Sequence, residues 1–389
     1  MTPSIAIIGG GPSGLALAGL LETKGIKDYI IYERSAVDTP PRGSCLDLHP
    51  GSSQRVIREI GAFDLLKKYG RWGGCTLHLL AKKNLERVFE FGEGRDAPEV
   101  DRSDIKRILL SAIPPQKICW RTAVVGSKRD ADGKIVIQLG DGTEVSGLKL
   151  VVGADGSMSK VRHLIHSAVP VYSGYVSVPT NLSPSNAHYH VMEKAAGEAN
   201  LVALGDGKVI WTAPQGDGTY RNELVIPAPE DFPKNTGVDF NDDEAAKEFF
   251  LRDEYFGTFA PEIREVIKYS EGDWRPWRLY HMPANCFNWE ASSDVTLIGD
   301  AAHVTTPWVG DGVNCAIRDA LILANKLDEF GITKEAVAAY EKEMFVWAED
   351  LVRRSIQSAE LFLAKDNPKS LVEFFKTSFA TLIGTTDNL

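Results

Sequence analysis

The sequence has no apolar run of the roughly 18 or more residues that a membrane-spanning helix needs. That excludes a spanning helix as an architectural element. It also lacks any block of basic residues. Its 43 Lys and Arg are scattered and outnumbered by 53 Asp and Glu, for a net charge of -10, which argues against nucleic acid as a partner. Cysteine is scarce, with five residues (Cys45, Cys75, Cys119, Cys286 and Cys315). The number is odd and no C-x-x-C spacing occurs, so the residues read as reduced thiols of a cytoplasmic protein. The first strand pattern already starts at Ser4, so no leader peptide is expected. On that reading the Asn181-Leu-Ser triplet is not a glycosylation acceptor. The eight His residues show no ligand spacing, and no metal is expected.

What is present reads as an ordinary globular chain. With 389 residues, 43% hydrophobic and 25% charged, it suffices for two domains or one large α/β unit. Four segments, at 4–10, 28–33, 148–155 and 294–300, are apolar runs rich in β-branched residues. Each ends at Gly or an acid, as strands of a parallel sheet covered on both faces do. Helical patterns follow the first and last and close on Gly25 and Gly331. Between 171 and about 286, segments such as "HYHVMEK", "ANLVALGD", "KVIWTAP" and "RNELVIP" alternate between turn signals, which predicts a half-exposed antiparallel sheet. The segment 76–92 predicts a hairpin of the same kind. After 336, a long amphipathic helix carrying Val337, Tyr340, Met344, Trp347 and Leu351 predicts a brace across domains. The expected division is therefore an α/β, Rossmann-like nucleotide-binding domain in three pieces (1–70, 94–170 and 287–335). A substrate hairpin (71–93), an inserted β-sheet substrate domain (171–286) and a C-terminal bridging helix and tail (336–389) complete it.

Three motifs carry chemistry. The first is "IAIIGGGPSGLALAGLLETKG". Gly9, Gly11 and Gly14 form G-x-G-x-x-G directly after a strand and at a helix start. Gly9 permits the tight turn, Gly11 lets backbone approach a pyrophosphate, and Gly14 lets helix and strand pack closely. Pro12 and Ser13 open the helix, whose N-terminal amides and dipole favour phosphate. Glu33 ends the next strand about 20 residues beyond Gly11, where an acid takes ribose hydroxyls and repels a 2′-phosphate. Arg34 follows it. Together these predict a dinucleotide site for FAD or NAD. The second motif is "VVGADGSMSKVR", with Asp155, Ser159 and Arg162. The third is "LIGDAAHVTTPWVGDGVN", in which Asp300 ends a buried strand and a helix begins after Gly312.

The three motifs in this order, with the loop "PPRGSCLDLHPGSSQ" and "VDRSDIKRILL", resemble the group A FAD-dependent monooxygenases, the aromatic hydroxylase family. Within it the chain is most similar to the tetracycline-inactivating flavin monooxygenases and their fungal natural-product relatives. The resemblance implies FAD lying extended, its adenosine end at Gly9, Gly11, Gly14 and Glu33 and its ribityl chain near Asp300. It implies Pro307, Gly310, Gly312, Val313 and Asn314 beneath the flavin pyrimidine, where a helix N-terminus favours the negative charge of reduced flavin. It implies Arg102 toward the ribityl and phosphate region, Arg42 near the flavin, and Asp155 linked to FAD. Arg162 and Ser159 are implied as contacts to NADPH or as a second layer, with a purely structural Asp155–Arg162 pair as the alternative. NADPH or NADH would bind transiently, without a second nucleotide fold. O₂ would react at flavin C4a, and the hydroperoxide would transfer one oxygen atom. The protein then supplies positioning and water exclusion, and no catalytic triad is expected.

Substrate contacts are expected at His188 and His190, which as H-x-H would share one face of a strand, and at Trp277 and Trp308. For the segment 273–283, core packing and pocket lining both stay open. Asp311 is expected to face solvent, with cofactor tuning or substrate contact as alternatives. Tetracycline-inactivating enzymes hold the drug with an Arg and a Gln on the substrate sheet. Pairing those positions with Asn200 and His190 fails, so tetracycline is not the expected substrate. The expected activity is hydroxylation of an aromatic or polycyclic small molecule in secondary metabolism or in xenobiotic or antibiotic modification. Alternatives are an FAD-dependent oxidoreductase or cofactor-assisted isomerase without oxygen insertion, and a protein that keeps FAD only as structure. The expected partners are the substrate and O₂, with no nucleic acid and no membrane span. A monomer or weak dimer is expected.

Overall fold

A computed structural model describes residues 2–74, 76–81 and 87–386. Cys75 and the tip of the predicted hairpin lie outside the described residues. The four predicted buried strands, Ile5–Ile8, Tyr29–Tyr32, Leu150–Gly153 and Val295–Leu297, join Ile118–Cys119 in one parallel sheet. Its order is Val295–Leu297, Leu150–Gly153, Ile5–Ile8, Tyr29–Tyr32, Ile118–Cys119. Every pair in it is parallel. The uninterrupted apolar runs follow from burial on both faces. The helices Pro12–Thr23 and Gly312–Phe330 pack against each other and share this core. A three-stranded antiparallel sheet, Val124–Arg129, Ile135–Leu139 and Glu144–Val145, sends Ile135, Ile137 and Leu139 into the same core and was not foreseen.

The second sheet has seven strands, ordered Trp277–His281, Val171–Leu182, Tyr220–Pro227, Lys208–Pro214, Asn200–Gly205, Leu77–Ala81, Arg87–Phe91. The hairpin predicted at 76–92 thus extends the same sheet as the strands from 171 onward. It joins in parallel through Leu77–Ala81 beside Asn200–Gly205, so the sheet is mixed rather than purely antiparallel. Strand alternation splits its side chains between two layers. Val176, Val178, Leu224 and Ile226 bury against the helices Asp243–Phe250 and Pro261–Tyr269. Val202, Val209 and Val225 face the other way, onto Trp308 and Phe362.

Two sequence readings are corrected here. "HYHVMEK" is not a strand: Tyr189–Ala195 is a helix, with His188 at its N-cap. Met192 and Ala196, four apart, bury together, so the period is helical and the apparent alternation is incidental. The C-terminal tail is also more than a tail. After Lys334–Phe362 comes a second helix, Lys369–Thr386. The long helix contributes Val337, Tyr340, Met344 and Val352 to the first core. Its end contributes Ala359 and Phe362 to the layer under the second sheet.

Candidate active site

The three motifs converge on one spot. Gly9 has φ 111°, and a Cβ there would stand 2.3 Å from the Ala154 carbonyl oxygen of the second motif. A Cβ on Gly14 would stand 2.1 Å from the Gly9 carbonyl oxygen, so helix and turn touch as the spacing predicted. Gly11 differs: a Cβ there would meet nothing within 4 Å, and its face opens outward. The Glu33 carboxylate accepts from the amide of Gly10 at 2.7 Å and from that of Ser35 at 2.7 Å, which fixes it at the mouth of the turn. Arg34, beside it, is exposed. Pro12 opens the helix and Ser13 is buried behind it.

The third motif meets the first through Gly299 (φ 60°), where a Cβ would stand 2.8 Å from Ser13 Oγ. Asp300 begins the short helix Asp300–His303, not the strand itself. Its carboxylate is exposed and makes no hydrogen bond among the described residues. Two groups beneath hold this elbow. Asp319, fully buried, accepts from the Gly299 amide at 2.8 Å and from His303 Nε2 at 2.6 Å. Burial pushes the Asp319 carboxyl upward, and the His303 contact opposes that. From the other side Arg162 donates to the carbonyls of Ser157 (2.8 Å), Asp300 (3.0 Å) and Ala301 (2.8 Å). Burial pushes the Arg162 guanidinium downward.

Of the alternatives for Arg162, these bonds correspond to a second layer beneath Asp300. Arg162 is not paired to Asp155 by a hydrogen bond, because its guanidinium is spent on backbone carbonyls. At 5% exposure it presents no free face to a nucleotide. Ser159 caps the same turn, accepting from the amides of Val161 and Arg162 at 3.1 Å each. Asp155 accepts from the Lys160 amide at 2.6 Å, while its Oδ1 is buried with no partner. Burial raises its pKa.

Arg102 starts the helix Arg102–Leu110 and donates Nε to the Ser44 carbonyl at 2.9 Å. Burial lowers its pKa, and the charge of Asp300 opposes that shift. Gly43 has φ 107° and passes so close that a Cβ would be 2.6 Å from Arg102 Nε. Arg42 lies over the Trp277 ring at 5.2 Å, and Trp277 is 43% exposed. Pro307 opens a short turn whose Trp308 is buried and stacks on Phe362 at 5.5 Å. Gly310 is left-handed (φ 70°) and Gly312 starts the helix. Val313 follows, half-buried. Asn314 ties this helix to the loop before it. Its Oδ1 accepts from the His49 amide (2.8 Å) and from Ser53 Oγ (2.7 Å), and its Nδ2 donates to the Asp47 carbonyl (3.0 Å).

Asp311 does not face solvent freely. It sits 3.4 Å from His49 Nδ1 and 3.6 Å from Arg354. Burial opposes ionisation, but His49 and Arg354 hold its pKa below the ordinary value. Asp311 and, on the other nitrogen, Asp47 at 2.9 Å push the His49 imidazole up to about 9. Both lie in a groove of about 620 Å³ that also runs past Arg55, Arg318 and Lys326.

The H-x-H expectation loses its basis. His188 stacks on Tyr269 at 3.3 Å, in the helical layer on the opposite face of the sheet from Trp308. His190 is exposed and bonds to the Ala187 carbonyl oxygen. Asn200 is buried at the start of its interior strand, donating to Gly74 O and Glu99 Oε1. Trp274 is core and fully buried. Residues that carried no motif join the loop and the Trp308 face of the sheet instead. Gln215 ties the loop to the sheet, accepting from the Cys45 amide at 3.2 Å and donating to Ser44 Oγ at 3.2 Å. Arg221 and Glu223 stand on the Trp308 side of their strand, within the electrostatic reach of Arg102.

The residues fit FAD. Gly11 leaves room for a diphosphate at a helix N-terminus, a free carboxylate waits at the elbow, and Asp155 has an unsatisfied oxygen at the same junction. Comparison with known proteins agrees. The family described as "FAD binding domain" matches residues 2–355. Monooxygenase penA of Penicillium thymicola is 27% identical, over 87% of this chain and 87% of its own length. Among solved structures, HpxO of Klebsiella pneumoniae complexed with FAD and uric acid is similar with a TM-score of 0.75 at 21% identity, covering 96% of this chain and 92% of that one. The tetracycline destructase Tet(51) gives 0.71 at 19% identity, covering 100% and 98%.

Proposed function

The chain belongs to the FAD-binding family of flavin-dependent monooxygenases, and on that premise we propose that it hydroxylates an aromatic or polycyclic small molecule at the expense of NAD(P)H and O₂. The balance is one substrate C–H, O₂, NAD(P)H and a proton giving the C–OH product, water and NAD(P)⁺. Bound FAD supplies the two-electron carrier and the centre at which O₂ is activated. In this reading Gly9, Gly11 and Gly14 with the amides at Ser13 hold the diphosphate. Glu33 takes the adenosine ribose, Asp300 a ribityl hydroxyl, and Arg102 the charge between them. Gly312, Val313 and Asn314 would support the pyrimidine edge, with Arg42 above. The observation that carries the reading is the exposed Asp300 carboxylate, without a hydrogen-bond partner among the described residues, at the meeting point of the three motifs. Fungal relatives support a place in secondary metabolism.

The test is oxygen labelling. The purified protein should be yellow, should oxidise NAD(P)H faster with substrate present, and should place one atom from ¹⁸O₂ in the product. A protein that cannot be loaded with FAD overturns the reading. Substrate turnover with label absent assigns it to the non-oxygenating oxidoreductases.

A further inference from the structure

Among the described residues the Trp308 face of the seven-stranded sheet carries the Arg221–Glu223 ion pair, and its arrangement narrows the substrate class. Arg221 and Glu223 alternate with Asn222 and Leu224, which point to the helical layer. Val225, next in their row, packs on Trp308. Both charged side chains therefore face the Trp308 loop. Ser177 lies opposite Val225 in the neighbouring strand, on the same face. Arg221 Nε donates to Glu223 Oε1 at 2.9 Å, and Ser177 Oγ donates to Glu223 Oε2 at 2.7 Å. The two side chains are 20% and 24% exposed. Arg221 keeps two terminal amino groups with no partner among the described residues. Each carboxylate oxygen keeps a lone pair.

The pair thus offers a free donor and a free acceptor side by side, with no net charge. A carboxylate on the substrate fits badly. It would have to sit against Glu223, or draw Arg221 away and leave that acid unpaired in a half-buried site. A neutral edge with adjacent C=O and N–H satisfies both: the carbonyl accepts from Arg221 and the N–H donates to Glu223. Arg102 lies within electrostatic reach of both, and Asp300 is the carboxylate that most strongly offsets its charge.

We propose that the Arg221–Glu223 pair reads a neutral amide or lactam edge on the ring substrate and discriminates against free ring carboxylates. This rests on the hydroxylase reading and names its substrate class. The test is calorimetric binding to the FAD-loaded protein at pH 8, with two matched pairs of probes: benzamide against benzoate, and 2-quinolone against quinoline-2-carboxylate. The neutral member should bind about tenfold or more tightly in each pair, the effect of one misplaced charge. Glu223→Gln should shift that ratio toward the carboxylate by about tenfold, with flavin content unchanged. Equal or tighter binding of the carboxylates, binding by neither neutral probe, or an unchanged ratio in Glu223→Gln each overturns the proposal. Should the variant not fold, the wild-type ratios decide alone. Oxygen labelling is read separately, so a failure of the substrate class leaves the monooxygenase reading standing, and the reverse.

Discussion

Asp319 lies outside the three motifs, yet one of its carboxylate oxygens holds both the Gly299 amide and His303 of the third. Removing half of a buried charged contact costs about 3–5 kcal/mol. Asp319→Asn should therefore lower the unfolding midpoint in denaturant. It should also weaken FAD binding, read by fluorescence titration, because the elbow that presents Asp300 loses its anchor. His49 gives a pH-dependent counterpart. Its folded pKa of about 9 lies above the ordinary 6.5, so its pairing with Asp311 and Asp47 stabilises the fold fully below 6.5. That contribution disappears as pH rises through about 9. The stability difference between wild type and His49→Gln should shrink over that window, followed by denaturant melts at several pH values. A difference that grows with pH would contradict the pairing.

At the level of elements, the glycine turn separates packing from ligand binding. Gly14→Ala drives a Cβ onto the Gly9 carbonyl and should displace the helix, lowering both thermal stability and flavin content. Gly11→Ala meets no protein atom within 4 Å. It should leave the melting temperature unchanged while weakening FAD by about tenfold or more, since only the approaching diphosphate is obstructed. The same contrast explains what could be read in advance. The turn, the parallel strands and the Gly-Asp elbow were legible because each needs particular residues at fixed spacing. Arg221, Glu223, Gln215 and Asp319 were not, because each is a lone polar residue whose meaning comes from the strand or helix facing it. Arg162 looked like a partner of Asp155 because the two are close in sequence. Its real partners include the carbonyls of Asp300 and Ala301, far along the chain. The His188–His190 segment misled because four residues of alternation cannot distinguish a strand from a short helix.

Across the whole molecule, the Lys334–Phe362 helix joins the two cores, and it buries an acid to do so. Glu341 is 1% exposed and accepts from Thr296 Oγ1 at 2.7 Å. Burial pushes its pKa from 4.5 to about 7. The folded state therefore holds this proton more tightly than the unfolded one, and stability falls as pH rises between those values. Glu341→Gln should raise the melting temperature at pH 8 and bring little or no gain at pH 5. Equal effects at both would show that the acid is not titrating. The strand order of the parallel sheet has a further consequence, for synthesis. Leu150–Gly153 is flanked by Ile5–Ile8 on one side and by Val295–Leu297 on the other. A ribosome must make the entire seven-stranded sheet, apart from its own late helices, before the second neighbour emerges. Until then the nascent chain carries an apolar strand with one naked edge, and Arg162 has no Asp300 or Ala301 carbonyl to bind. A product truncated before Val295 is thus expected to be captured by chaperones or to aggregate, not to persist as a smaller flavin-binding module.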